Sequence, residues 1–330
     1  MKTQDVYIGN TSTNGIYKYK FKNGELIKAD REENSQTKVF ERCTYLALNK
    51  KHLYSVVEKE DGIIVEYQRE QNGLKYIEKN LSYGKGPCHI EIAPKNNLLF
   101  VSNYIDGYYT IFKINSNGVI GNPIYHKIEN KKKSHAHCIK VASNGKFFCV
   151  VDLGADLLIV YEIKNNIIKE VDRLKLKNNT EPRHIAICKN IIYLITEKSC
   201  ELYTIRFKNN KLEILDVKSL LPQNIKIKDN YTGCAIKVTK DFKNIYTTIR
   251  GHNSISVFKI KNNKIEMVQN INCGGDLPRD LELDKTENYV LVANSDDNKI
   301  SIFRRDKKSG KLEFKNSEET ESPTCVAIDR

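Results

Sequence analysis

The chain has 330 residues, with 54 lysines and arginines against 41 aspartates and glutamates, a formal net charge of +13. Hydrophobic residues make up 40% and charged residues 29%, a mix that can bury a core and excludes the composition of disordered chains. No apolar run approaches the ~18 residues that span a bilayer, and Met1 to Asn10 lacks a signal peptide's apolar stretch; the expectation is a soluble cytoplasmic protein.

In chain order, the first strands predicted by apolar alternation are Val6 to Asn10, Ile16 to Phe21 and Glu25 to Ala29. A period then begins. A short alternating segment recurs as Leu46-Ala-Leu48, Ile90-Glu-Ile92, Ile139-Lys-Val141, Ile185-Ala-Ile187, Ile236-Lys-Val238, Leu281-Glu-Leu283 and Val326-Ala-Ile328, at steps of 44, 49, 46, 51, 45 and 45. Each of the first six is followed by a polar turn and a β-rich run ending in a polar residue: Tyr54 to Glu58, Leu99 to Asn103, Phe148 to Asp152, Tyr193 to Glu197, Tyr246 to Arg250 and Val290 to Asn294. A third run, such as Tyr108 to Phe112 or Ile300 to Phe303, comes after a brief loop, and a variable fourth completes the unit.

Such a unit every 45 to 50 residues is the pattern of propeller blades. The seventh is split, its first strand at Cys325 to Asp329 and its other three at the N-terminus. Pairing them closes the ring and leaves no exposed edge. The predicted fold is all-β: a seven-bladed β-propeller with four antiparallel strands per blade, a single domain over residues 1–330.

The nine cysteines, an odd number without C-x-x-C spacing, argue against a disulfide framework or a zinc ribbon. The excess charge is mostly lysine interleaved with asparagine and isoleucine, with no basic helix, zinc-finger spacing or aromatic RNA-binding motif, so no nucleic-acid partner is expected. No membrane partner is expected either. Nothing reads as a coiled coil or an interaction tail, and the expected state is a monomer.

In a propeller the first strand of each blade is innermost, and a tight turn sets its start beside the end of the second. Residues just before the inner strands (Thr44, Cys88, His137, Arg183, Cys234, Arg279, Thr324) and those at the second-strand ends (Asn10, Glu58, Asn103, Asp152, Glu197, Arg250, Asn294) should meet at one channel mouth. There His135, His137, Asp152, Arg183, Glu197, Arg250 and Arg279 concentrate on four adjoining blades, and only 11 of the 54 basic residues are arginine. Three arginines suit an anion, and a carboxylate with an imidazole suits proton transfer. The opposing reading is a ring of polar residues that bond one another and plug the channel.

Tyr7-Ile-Gly-Asn10, Gly86-Pro-Cys-His-Ile90, Ser134-His-Ala-His137, Glu181-Pro-Arg-His184, Ile249-Arg-Gly-His252 and Leu277-Pro-Arg-Asp280, in this order and spacing, resemble the seven-bladed lactonase propellers. That family includes bacterial 6-phosphogluconolactonases and fungal carboxymuconate cyclases. The resemblance implies lactone chemistry, with His135, Arg183, Glu197 and Arg250 in the catalytic places. Water would attack the lactone carbonyl of 6-phosphogluconolactone with Glu197 or His135 taking its proton, while Arg183 and Arg250 stabilise the oxyanion. Arg279, with the loop lysines Lys131, Lys132 and Lys133, would receive the phosphate of this small anionic sugar-phosphate lactone, and His137, Asp152, Asn103 and Asn294 complete the substrate-binding candidates. A cyclase or lactonase for another carboxylate, such as a muconolactone, and a noncatalytic binding platform are the alternatives.

Hydrolysis of this kind needs no cofactor and no metal. His135 and His137, two apart on a strand, are a zinc-like pair, but three nearby arginines would repel a cation. No nucleophile elbow, phosphate loop or dinucleotide fingerprint occurs in the chain.

Overall fold

Runs such as Leu98-Leu-Phe-Val-Ser-Asn103 and Tyr289-Val-Leu-Val-Ala-Asn294 are rich in β-branched and aromatic residues and buried on both faces, and they form the second strands of their sheets. The computed structural model describes residues 3–12, 15–29, 40–71, 73–165, 167–262 and 264–328. Among them, 28 strands form seven four-stranded antiparallel sheets, the blades of a seven-bladed β-propeller.

Blade one is built, from the channel outward, of Pro323–Ile328, Gln4–Asn10, Tyr17–Lys22 and Glu25–Lys28. The inner strands of blades two to seven are Cys43–Leu48, Pro87–Ala93, Ala136–Val141, Pro182–Cys188, Thr232–Val238 and Pro278–Leu283. Their second strands are His52–Val57, Leu98–Asn103, Phe147–Asp152, Ile191–Thr196, Asn244–Arg250 and Tyr289–Asn294. Ring closure follows the expected pairing, Val6 opposite Ile328 and Gly9 opposite Cys325. Asp329, the expected end of that closing strand, lies outside the described residues.

Neighbouring blades are held by the apolar faces of their sheets. Blade three gives Phe100, Tyr109 and Ile111 to a cluster with Ile139, Phe148, Val150 and Tyr161 of blade four. There Phe100 lies 5.0 Å from Phe148, which stacks on Tyr161 at 4.9 Å. Burying each such side chain contributes roughly 1.5–3 kcal/mol. A buried tyrosine also staples blade to blade: the Tyr54 hydroxyl donates to Gly118 O of blade three at 2.6 Å, and Tyr246 donates to Gly310 O of blade seven at 2.8 Å. Each phenol thereby fixes the outer hairpin of the next blade while its ring stays apolar.

Candidate active site at one mouth of the channel

Each inner strand carries a β-bulge near its start. Pairing runs Cys43 to Val57 and then Tyr45 to Val56, Pro87 to Asn103 and then His89 to Ser102, and likewise in every blade. One residue is thereby left without a ladder partner: Thr44, Cys88, His137, Arg183, Arg279 or Thr324. In blade six Cys234 and Ala235 both stand in the gap. A bulge turns the extra side chain out of the pleat. These residues, expected just before the inner strands, therefore sit inside them, and all but Cys234 line one cavity of about 140 Å³. The Cys234 thiol instead donates to Arg279 O at 3.1 Å.

The backbone entering these strands turns through positive φ in five blades and is strained in the four where the residue is not glycine. Arg42, Glu181, Leu277 and Ser322 hold positive φ angles of 58°, 56°, 53° and 39°, and Gly86 holds 59°. For non-glycine residues this costs of order 1–3 kcal/mol each, and such strain gathers at functional sites.

The second-strand ends separate into two phases. Asn103, Asp152 and Asn294 pair with Pro87, Ala136 and Pro278, and their side chains turn away from the cavity. Asn103 and Asn294 are fully buried, their amides donating to Ser82 O at 3.4 Å and to Ser301 Oγ at 2.8 Å. Asp152 Oδ1 accepts the backbone N–H groups of His135 and Ala155 at 2.9 and 3.0 Å. These three brace the loops around the mouth instead of lining it. Side chains alternate with a period of two, so the next phase faces the cavity, and Glu58, Tyr104, Glu197 and Arg250 occupy it. Tyr104 lies one residue past the expected strand end Asn103 and so falls outside the expected ring. Tyr45 and His184 complete the lining together with the bulge residues.

Within the cavity Glu197 is clamped. Arg183 Nε donates to one carboxylate oxygen and Arg250 Nη2 to the other, both at 2.8 Å. Burial works to raise the Glu197 carboxyl, and the two arginines overcome it and hold it below its ordinary value. Arg183 Nη1 is anchored on Cys234 O at 2.5 Å, while Arg250 Nε is buried with no partner. Arg279, half-buried in the same cavity, makes no ion pair among the described residues.

His135 stands beside this cavity. Its ring stacks on Tyr104 at 4.8 Å, and its Nδ1–H donates to Tyr104 O at 2.8 Å. A carbonyl only accepts, so Nδ1 carries a proton, and Nε2 is the ring nitrogen without a hydrogen-bond partner among the described residues. His137 lines the cavity, also against Tyr104, with Nδ1 buried and unpartnered. Burial, then Arg183, pushes the His137 and His184 imidazoles well below their ordinary value, so both are neutral. Tyr45 lies 4.5 Å from His89 and 6.0 Å from His184, and these rings form the floor between this cavity and that at the opposite mouth.

Lys131, Lys132 and Lys133 are exposed and outside the lining. Burial raises the thiol of Cys88, which makes it a poor nucleophile. Among the described residues no group of three or more His, Cys, Asp and Glu side chains is placed to hold a metal ion, and no helix is long and apolar enough to cross a membrane.

The profile of the family described as Lactonase, 7-bladed beta-propeller, matches residues 5–328. The chain belongs to that family and is a lactone hydrolase, a carboxylic ester hydrolase. It is similar to the 6-phosphogluconolactonase of Bacillus subtilis, 28% identical over 334 residues that cover 93% of each chain. Two solved structures share the fold: a Lactobacillus plantarum protein, with a TM-score of 0.91 at 23% identity and all of both chains covered, and the periplasmic gluconolactonase of Pseudomonas aeruginosa, with a TM-score of 0.89 at 19% identity over 100% of this chain and 99% of the other.

Proposed function

We propose that the protein hydrolyses 6-phosphogluconolactone to 6-phosphogluconate, as a single-domain monomer in the cytoplasm. The observation that carries this reading is the division of labour among three arginines in one cavity: Arg183 and Arg250 are tied to Glu197, and Arg279 is left for an anion. The name of the Bacillus subtilis relative agrees with it, and the nine cysteines, none in a disulfide, suit a reducing compartment.

In this reading His135 is the general base. Glu197, held ionised by two guanidinium groups, is a weak acceptor and serves to aim them. His135 Nε2 takes a proton from water as the water oxygen bonds to the lactone carbonyl carbon. Arg250 Nε and the Arg183 Nη2 group, which carries two N–H donors, stabilise the oxyanion. Collapse breaks the ring C–O bond, and the proton on His135 passes to the departing alkoxide. Arg279 holds the phosphate throughout. No redox cofactor is required, and neither nucleic acid nor membrane takes part.

The test follows freshly generated 6-phosphogluconolactone through 6-phosphogluconate dehydrogenase, above spontaneous hydrolysis. Arg183→Ala should lower kcat by roughly a hundredfold or more, while Arg279→Ala should chiefly raise KM for the phosphorylated substrate. Equal rates on unphosphorylated gluconolactone would remove the phosphate assignment. No rate above background from folded protein would leave the binding platform as the reading.

A further inference from the structure

The cavity has two chemically different walls. Blades four to seven supply His137, Arg183, Glu197, Arg250 and Arg279, and the opposite wall carries Glu58, Thr44 and Thr324 of blades one and two. Glu58 follows the second strand of blade two directly and is the counterpart there of Glu197. Its backbone is pinned on both sides, its N–H donating to Arg42 O at 3.1 Å and its carbonyl accepting from Arg42 Nε at 2.8 Å. Unlike Glu197, its carboxylate has no hydrogen bond or ion pair among the described residues. Arg279 shares the cavity and feels the Glu58 charge, yet the two do not close on each other.

Thr44 adds a second unsatisfied group. It is 3% exposed, and its hydroxyl has no partner although it lines the cavity. Its main chain is fixed, because the Thr324 hydroxyl donates to Thr44 O at 2.9 Å. A ligand that fits between the walls must offer an anion to Arg279 and hydrogen-bond donors to Glu58. A carboxylate only accepts, and its two oxygens suit neighbouring hydroxyls. A ligand with a carboxylate at that end would be repelled.

We propose that Glu58 and Thr44 form a subsite for the hydroxyl groups of a polyhydroxylated lactone, and so make the enzyme select sugar lactones over hydroxyl-free or dicarboxylic ones. This rests on the lactonase reading of the same cavity. A lactone without hydroxyls leaves Glu58 desolvated and unpaired, which costs affinity.

The experiment compares wild type, Glu58→Gln and Thr44→Val on 6-phosphogluconolactone and on δ-valerolactone, and measures 6-phosphogluconate binding by calorimetry. The expected result is a roughly ten- to hundredfold fall in the kcat/KM ratio of the sugar lactone to valerolactone in Glu58→Gln, carried by KM, with a matching loss of 6-phosphogluconate affinity. Thr44→Val should show a smaller change in the same direction and keeps the proposal testable if Glu58→Gln fails to fold. An equal loss on both lactones, or unaltered 6-phosphogluconate binding in both variants, overturns the subsite. A wild type that hydrolyses neither lactone but binds 6-phosphogluconate in a Glu58-dependent way would remove the catalytic reading and keep the subsite.

Discussion

Glu66, between blades two and three, shows what an unmatched buried carboxyl does to a propeller. Its side chain is fully buried, one oxygen accepts the Ile120 N–H at 3.2 Å, and the other has no partner, with His52 Nε2 4.0 Å away. Burial pushes its carboxyl up to about 7 from 4.5 and pushes the His52 imidazole down, so the histidine does not compensate. Because the folded-state pKa is raised, the folded state holds a proton that the unfolded chain releases. The associated stability is complete below pH 4.5 and is lost as pH rises through about 7. A rise of this size corresponds to about 3 kcal/mol. Glu66→Gln keeps the acceptor for Ile120 and cannot ionise. It is expected to raise Tm by a few degrees at pH 8.5 and much less at pH 5.5, and thermal unfolding at both pH values checks this. Parallel pH profiles in the two proteins would show that Glu66 is not the group responsible.

Strand pairing decides which side chains reach the mouth, and here the sequence was legible only to a point. Alternation located the inner and second strands, and the arginines and Glu197 fell beside the cavity as their spacing implied. The bulges were not legible, because an unpaired residue is defined by the register of two strands and no single residue type marks it. One signal was available: Pro87, Pro182, Pro278 and Pro323 each stand directly before a bulge residue, and a proline at the start of a strand is a positional marker. The same register accounts for Asn103, Asp152 and Asn294 bracing loops while Tyr104, one step further in its blade, faces the cavity. Gly154, two residues past Asp152, tests how tightly such a loop aims a side chain. A Cβ there would lie 2.0 Å from Lys133 O and 2.5 Å from His135 Cδ2. Gly154→Ala should push His135 off Tyr104 and lower kcat on the lactone by roughly tenfold or more with little change in KM. Gly73→Ala, where a Cβ would meet nothing within 4 Å, serves as the control. A Gly154→Ala enzyme with wild-type kcat would mean that the His135 ring is not held by this loop.

At the scale of the molecule, a period of about 45 residues was legible because each blade repeats the same alternation, whereas closure of the ring depends on a strand far from its partners in sequence. Pro323–Ile328 is buried along its whole length and packs against the inner strands of blades two and seven as well as pairing with Gln4–Asn10. Without it, blade one loses its inner strand and presents an unpaired edge to solvent. A chain ending at Ser322 is therefore expected to aggregate or to lose its cooperative thermal transition. The contribution comes from strand position, not chain order, and a circular permutant separates the two. Val6 opposite Ile328 and Tyr7 opposite Ala327 already form one side of a hairpin, so a short turn like Lys189-Asn190 in blade five can join that strand to the first. New termini open between Glu319 and Pro323. The permutant should match the parent far-UV spectrum and keep its Tm within a few degrees, since every blade is retained and the broken link lies between blades. If the chain ending at Ser322 unfolds as cooperatively and at the same temperature as the full protein, closure by the last strand does not hold the ring together, and its stability resides in the packing between adjacent sheets.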